Sequence, residues 1–164
     1  MALTEKHRPK TLDEVVGNDT VKSSLKSMAK RGNIPHILFI GYPGTGKTTT
    51  AQCFAKEIFG DNWKSFYVEV NASDERGIDT IRGKIKSISG SIGKRIIFLD
   101  EADALTPDAQ WALRRIMETS GETIFILAAN KENKVLDAIK SRCSIYRFRR
   151  LADDLVRKRL IEIL

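Results

Sequence analysis

The stretch Gly41-Tyr42-Pro43-Gly44-Thr45-Gly46-Lys47-Thr48 has the residue types and spacing that close a chain around phosphate. It fits G-x-x-x-x-G-K-[ST] at every position. A triphosphate needs many N–H donors at close range and no bulk beside them, and three glycines supply both. Lys47 is placed to reach the β- and γ-phosphates, and the Thr48 hydroxyl to ligate Mg²⁺. Thr49 completes the run counted as nucleotide-contacting. The apolar residues Ile37-Leu38-Phe39-Ile40 precede the loop and a helical pattern follows it. The loop is therefore expected to run into a helix N-terminus, which is itself an anion site. A bare glycine turn between strand and helix is the competing reading, and the complete match with its flanks argues against it.

A second constellation lies at Arg95-Ile96-Ile97-Phe98-Leu99-Asp100-Glu101, an apolar strand ending in two acids. Asp100 would sit beside the loop's metal, holding Mg²⁺ through water. Glu101 would orient and deprotonate an attacking water near the γ-phosphate. Asp103 closes an Asp-Glu-Ala-Asp stretch. Asn130, at the end of another apolar run, is placed either to touch the γ-phosphate or the water, or simply to turn the chain. Arg142, in Ser141-Arg142-Cys143, is either a guanidinium offered across a subunit boundary or a surface arginine at a helix end. Spacing alone leaves both pairs of alternatives open.

These side chains need a scaffold that brings strand ends together. Apolar runs at 36–40, 66–71, 95–99, 123–128 and 145–148 alternate with helical patterns at about 19–29, 47–59, 79–89, 108–118, 135–140 and 153–164. Continuous apolar strands fit a parallel sheet covered on both faces. The alternation predicts a doubly wound α/β domain with its ligand beyond the carboxyl ends of the strands. The last pattern leaves Leu155, Leu160, Ile161, Ile163 and Leu164 in need of cover.

Composition agrees with such a domain. The 164 residues are 41% hydrophobic and 30% charged. No apolar run approaches the 18 residues of a membrane span, and the amino terminus lacks a secretory apolar core. Cys53 and Cys143 have no metal-type spacing and read as free thiols in a reducing compartment. A net charge of +7 favours polyanionic partners, nucleic acid above all.

Longer stretches carry a family resemblance. They are residues 5–17, Asn71-Ala72-Ser73-Asp74-Glu75-Arg76-Gly77-Ile78-Asp79, residues 98–106, Ala112-Leu113-Arg114-Arg115-Ile116-Met117-Glu118, and Ser141-Arg142-Cys143. Over nearly all of residues 4–151 the chain resembles the small subunit of replication factor C, the sliding-clamp loader, an AAA+ P-loop NTPase. The resemblance implies an α/β fold with a five-stranded parallel sheet and helices on both faces. It also implies ATP as nucleotide, with Mg²⁺. Arg8, Pro9, Val15, Val16 and Gly17 fall where the family packs adenine. Asn130 matches sensor 1 and Arg142 the arginine finger that acts on a neighbouring subunit's ATP. Asp74, Glu75 and Arg76 match a loop facing the ring centre. The helix after it resembles the one that tracks DNA phosphates. On that helix Arg82 and Lys86 share a face, with Lys84 nearly opposite. Gln110 and Arg114 match the helix that couples subunits and DNA to the ATP site. Tyr42 departs from the family's usual proline.

The function implied is an intracellular ATP hydrolase, in cytoplasm, nucleoid or nucleus. It would load a sliding clamp onto primed DNA within a hetero-oligomeric ring of clamp-loader subunits. Residues 1–151 would be the ATPase core and 152–164 the first helix of a truncated lid, with lid remainder and collar missing and the isolated chain weakly active. Two alternatives stand beside it. One is another AAA+ DNA motor such as a branch-migration motor, against which Ser141-Arg142-Cys143 argues. The other is a non-hydrolysing structural subunit, which a missing lid would favour and against which Lys47, Asp100, Glu101 and Asn130 argue.

Overall fold

The computed structural model describes residues 2–74, 78–89 and 93–164. Five strands, β1 His36–Ile40, β2 Tyr67–Asn71, β3 Arg95–Asp100, β4 Thr123–Ala129 and β5 Cys143–Arg147, form one sheet in the order β2-β3-β4-β1-β5. Every pairing is parallel. The helices are α1 Leu3–Lys6, α2 Asp19–Arg31, α3 Lys47–Phe59, α4 Ile78–Ser89, α5 Pro107–Thr119, α6 Asp137–Lys140 and α7 Asp153–Ile163. Among the described residues no helix is long and apolar enough to cross a membrane, and Cys53 and Cys143 are both free thiols.

The three inner strands, β3, β4 and β1, are apolar on both faces because both faces are covered. Leu38, Ile97, Leu99 and Leu127 pack with Ile85 of α4 and Leu113 of α5. Their neighbours Ile37, Phe39, Phe98 and Ile126 pack on the opposite side with Leu25 of α2 and Phe54 of α3. This is the two-period alternation of a strand feeding two cores. α5 starts at a legible signal: Thr106 Oγ1 accepts the Ala109 N–H at 3.2 Å, and Pro107 occupies the first turn.

α1 forms outside the helical patterns of the sequence, most other bounds shift by a residue or two, and two of those shifts have a visible cause. β5 begins at Cys143, two residues earlier than the apolar run, because pairing with β1 starts at His36 opposite Cys143. α6 is shorter than 135–140, because the Leu136 N–H goes to Gln110 Oε1 at 2.8 Å and Val135 closes a preceding 3₁₀ turn. The loop residues Glu75 and Arg76 lie outside the described residues.

The register sets the site. Ile40 lies opposite Ala129 and Asn71 opposite Asp100. With β4 between β1 and β3, Asn130 emerges between the glycine loop and the two acids, all on the carboxyl edge of the sheet.

Candidate nucleotide site

The glycine loop leaves β1 with the sheet's own hydrogen bonding, the Gly41 N–H donating to Ala129 O at 3.1 Å. A Cβ on Gly41 would lie 2.9 Å from Phe148 Cβ, so the crossing of these two chains excludes a side chain. Gly44 and Gly46 take φ of +78° and +93°, the left-handed region that glycine enters freely. Thr45 Oγ1 donates to Tyr42 O at 2.8 Å and closes the loop from inside. No side chain caps α3 at Gly46, so its first-turn N–H groups face the cleft as donors.

Lys47 is only 7% exposed. Its Nζ donates to Gly41 O at 2.5 Å, Tyr42 O at 2.9 Å and Asn130 Oδ1 at 3.1 Å. Burial lowers its pKa, and the charges of Asp100 and Asp103 oppose that shift. Asp100 is half-buried, and burial raises its carboxyl above the usual range. The Glu101 N–H, donating to its Oδ1 at 2.9 Å, pulls it back, and the Glu101 charge adds to the rise. Glu101 itself sits at φ +54°, an uncommon backbone for a non-glycine residue, at the strand-to-turn junction.

Pro43, Gly44, Gly46, Lys47, Thr48, Thr49, Asp100, Glu101 and Asn130 line one cleft of about 380 Å³. The residues singled out from two separate motifs and a lone asparagine thus face one space. Gly41, Tyr42 and Thr45 shape it from behind. The Tyr42 ring projects outward, 64% exposed, with the Arg150 guanidinium 5.4 Å from its centroid.

A second, more apolar chamber of about 530 Å³ shares Gly44, Gly46 and Thr49 with the first. Arg8, Pro9, Val15 and Val16 line it, as the resemblance implies for adenine, together with Thr45. Arg8 is held by Gln52 Oε1 at 3.0 Å and by Glu5 at 2.5 Å. Gly17 lines an adjoining cleft instead. Its role here is spatial: at φ +75°, a Cβ would overlap Leu151 Cδ2. Leu151, Leu160 and Ile163 complete the chamber wall. In the sequence alone Leu160 and Ile163 read only as apolar residues in need of cover.

Other side chains fix this geometry without lining the cleft beside the glycine loop. Asp103 Oδ2 accepts the N–H groups of Asn130 and Lys131 at 3.3 and 3.0 Å. Gln110, 3% exposed, donates to Leu105 O and Lys134 O and accepts from Leu136 N–H. It ties α5 to the segment leaving β4. Arg114 and Arg142 meet the same carboxylate oxygen, Glu118 Oε1. Arg142 precedes β5 and so sits at the amino edge of the sheet. A five-residue strand spans about 16 Å, which removes Arg142 from its own chain's cleft. Arg82 and Lys86 are exposed on α4, as is Asp74 just after β2.

A family profile described as "ATPase family associated with various cellular activities (AAA)" matches residues 37–151, and the chain belongs to that family. Within it, the sequence is similar to replication factor C small subunits. It is 52% identical to that of Archaeoglobus fulgidus over 97% of this chain and 52% of the relative. It is 54% identical to that of Methanoculleus marisnigri over 90% of this chain and 48% of the relative. The chain thus spans about half the length of the curated relatives it matches. The fold is that of the Thermotoga maritima RuvB Holliday junction branch migration motor, with TM-score 0.77 and 22% identity over 93% of this chain and 52% of that one.

Proposed function

We propose that this chain is the ATPase module of a sliding-clamp loader, binding ATP with Mg²⁺ and hydrolysing it to drive clamp loading onto primed DNA. One observation carries the ATPase half: Lys47 and Thr48 from the start of α3, and Asp100, Glu101 and Asn130 from the ends of β3 and β4, line one cleft. The clamp-loader half rests on identity of about one half to replication factor C small subunits.

The Thr48 hydroxyl and Asp100 carboxylate are oxygen donors in the same cleft, the hard ligands a small divalent cation takes. When bound, Mg²⁺ would draw charge from the phosphate oxygens. The α3 N-terminus and the loop N–H groups hold the phosphates. Lys47 exchanges its Gly41 and Tyr42 carbonyls for phosphate oxygens. Glu101 orients and deprotonates the attacking water, and Asn130 holds that water or the γ-phosphate in line. The chamber beside Arg8, Val16 and Leu151 takes the adenine, its apolar walls excluding water from the base.

Arg142, at the far edge of the sheet, serves the ATP of a neighbouring subunit. Arg82 and Lys86 hold DNA phosphates, which give affinity without sequence preference. Residues 1–151 form the ATPase core and 152–164 begin a lid. The partners are primed DNA, the clamp and other loader subunits in a ring, inside the cell.

Steady-state ATPase of the ring assembled from full-length subunits, with and without primed DNA and clamp, tests this. Glu101→Gln should lower turnover by about 10²–10⁴-fold while nucleotide binding persists. Arg142→Ala should lower it by about 10³-fold or more. Activity kept in Arg142→Ala overturns the shared site, and absence of stimulation by primed DNA overturns the clamp-loader assignment.

A further inference from the structure

Another cleft, of about 380 Å³, shares Arg8 and Pro9 with the apolar chamber. Its wall brings Arg8 and Lys10 from the amino-terminal segment together with Lys56 of α3 and Lys64 of the following 3₁₀ turn. One carboxylate, Glu5, lies in the lining, and it is engaged by Arg8. Glu14 is held by the Lys10 backbone N–H at 2.9 Å. Among the described residues, no ion pair joins Lys10, Lys56 or Lys64 to a carboxylate. Four cations from three elements therefore converge on a concavity lined by a single acid, with Glu14 acting on Cys53 and Glu69 accepting from Gln52 Nε2 at 2.6 Å behind the wall, so the cations remain in excess. Such a field concentrates anions.

An indole also borders this cleft. Trp63 is half-buried, its ring edge-on to Tyr67 at 5.3 Å, with Lys64 Nζ 5.9 Å from its centroid. Cations around an aromatic wall are the combination that holds single-stranded nucleic acid: phosphates meet the ammonium groups and a base meets the ring. We propose that this cleft is a binding site for single-stranded nucleic acid, separate from the basic face of α4. An acidic peptide would use the charges and leave the indole unused. Because Arg8 and Pro9 wall both this cleft and the apolar chamber, a strand bound here touches the segment that also frames the nucleotide site.

The test is titration of a short oligothymidylate into the Trp111→Phe chain, without nucleotide, following Trp63 emission at several salt concentrations. Oligothymidylate should quench Trp63. Lys56→Ala/Lys64→Ala should weaken binding about tenfold or more and flatten the log K against log salt slope by about 1.4, two phosphate contacts at about 0.7 each. Lys56→Arg/Lys64→Arg, which keeps the charge, should restore both. Arg82→Ala/Lys86→Ala should leave the Trp63 signal in place. Unchanged affinity in the alanine pair, an unquenched Trp63, or equal binding of polyglutamate overturns the proposal. None of these readouts depends on ATP hydrolysis.

Discussion

Asn130 Oδ1 accepts a hydrogen bond from Lys47 Nζ across 3.1 Å, joining the end of β4 to the loop that follows β1. The contact is held from behind. Asp103, three residues beyond β3, accepts the backbone N–H groups of Asn130 and Lys131. Asp103, Asn130 and Lys47 therefore form a chain of contacts crossing three neighbouring strand ends. Asp103 does not line the cleft that Lys47 and Asn130 share, so in the proposed mechanism it is a positioning residue, acting through Asn130 and through its charge on Lys47.

Asp103→Ala should accordingly cost more in turnover than in nucleotide affinity. One part-buried and one exposed backbone N–H lose a charged acceptor that water partly replaces, which costs stability of about 1 kcal/mol. Turnover should fall about tenfold or more as Asn130 loses its fixed position, with the dissociation constant for ATP changing only a few-fold. Parallel measurement of kcat and of nucleotide binding checks this. Asp103→Asn, which keeps one acceptor oxygen, should recover part of the loss. An equal fall in both quantities would place Asp103 in binding instead.

The parts of this site legible in the sequence are those set by local signals. β1, the glycine loop and α3 occur at the residues expected, because an apolar run, three glycines and a helical period each act within a few residues. Asp100 and Glu101 were readable for the same reason. The start of β5 was not, since Cys143-Ser144 lacks an apolar pattern and its pairing comes from His36-Ile37 across the sheet. Asp103 and Gln110 act through hydrogen bonds spanning 24–28 residues. None of these bonds leaves a periodic trace. The chamber wall of Leu151, Leu160 and Ile163 depends on where the last helix meets residues 3–16. For Arg142, the spacing left two readings, and the sheet contributed what it lacked: the amino-edge position that separates it from its own cleft.

Asp100 carries a cost in the folded state. Burial raises its pKa, so the folded chain holds that proton more tightly than the unfolded one. The associated stability is full below the ordinary carboxylate pKa of about 3.9 and is lost as pH rises through the raised folded value. Wherever the carboxylate ionises in the fold, it does so against that penalty. Asp100→Asn should therefore melt at the same temperature as the parent or higher, while ATP affinity in the presence of Mg²⁺ falls about tenfold or more. Thermal melts at neutral pH and titrations with and without Mg²⁺ check both halves. A melting temperature several degrees lower would make the carboxylate a structural group.

Gly17 offers a steric test of the apolar chamber. Gly17→Ala combines a left-handed backbone with a methyl group placed on Leu151. The two effects should destabilise the fold by about 2 kcal/mol. Displacement of Leu151 should weaken adenine nucleotides more than inorganic triphosphate. Leu151→Ala in the Gly17→Ala background removes the clash and should return part of the stability. Equal losses for ATP and triphosphate would detach this wall from the base.

His36 links the amino edge of the sheet to pH. Its Nδ1 accepts the Phe125 N–H at 3.1 Å, and its Nε2 lies 3.1 Å from Met117 O, so the ring is neutral with its proton on Nε2. Phe125 packs against it edge-on at 5.4 Å. A second proton would turn Nδ1 into a donor facing a donor. Burial lowers the pKa first, the Met117 carbonyl opposes that, and the Arg142 charge lowers it further. The unfolded chain thus binds the proton more tightly than the folded one. Stability is full above the ordinary histidine value of about 6.5 and is lost as pH falls through the lowered folded value. His36→Gln keeps an acceptor and a donor but does not titrate. Its denaturation midpoint should vary less than the parent's between neutral pH and about pH 5, at some uniform cost in stability from the altered ring contact. Chemical denaturation across that range decides it: a slope in His36→Gln equal to the parent's would assign the acid sensitivity to other groups.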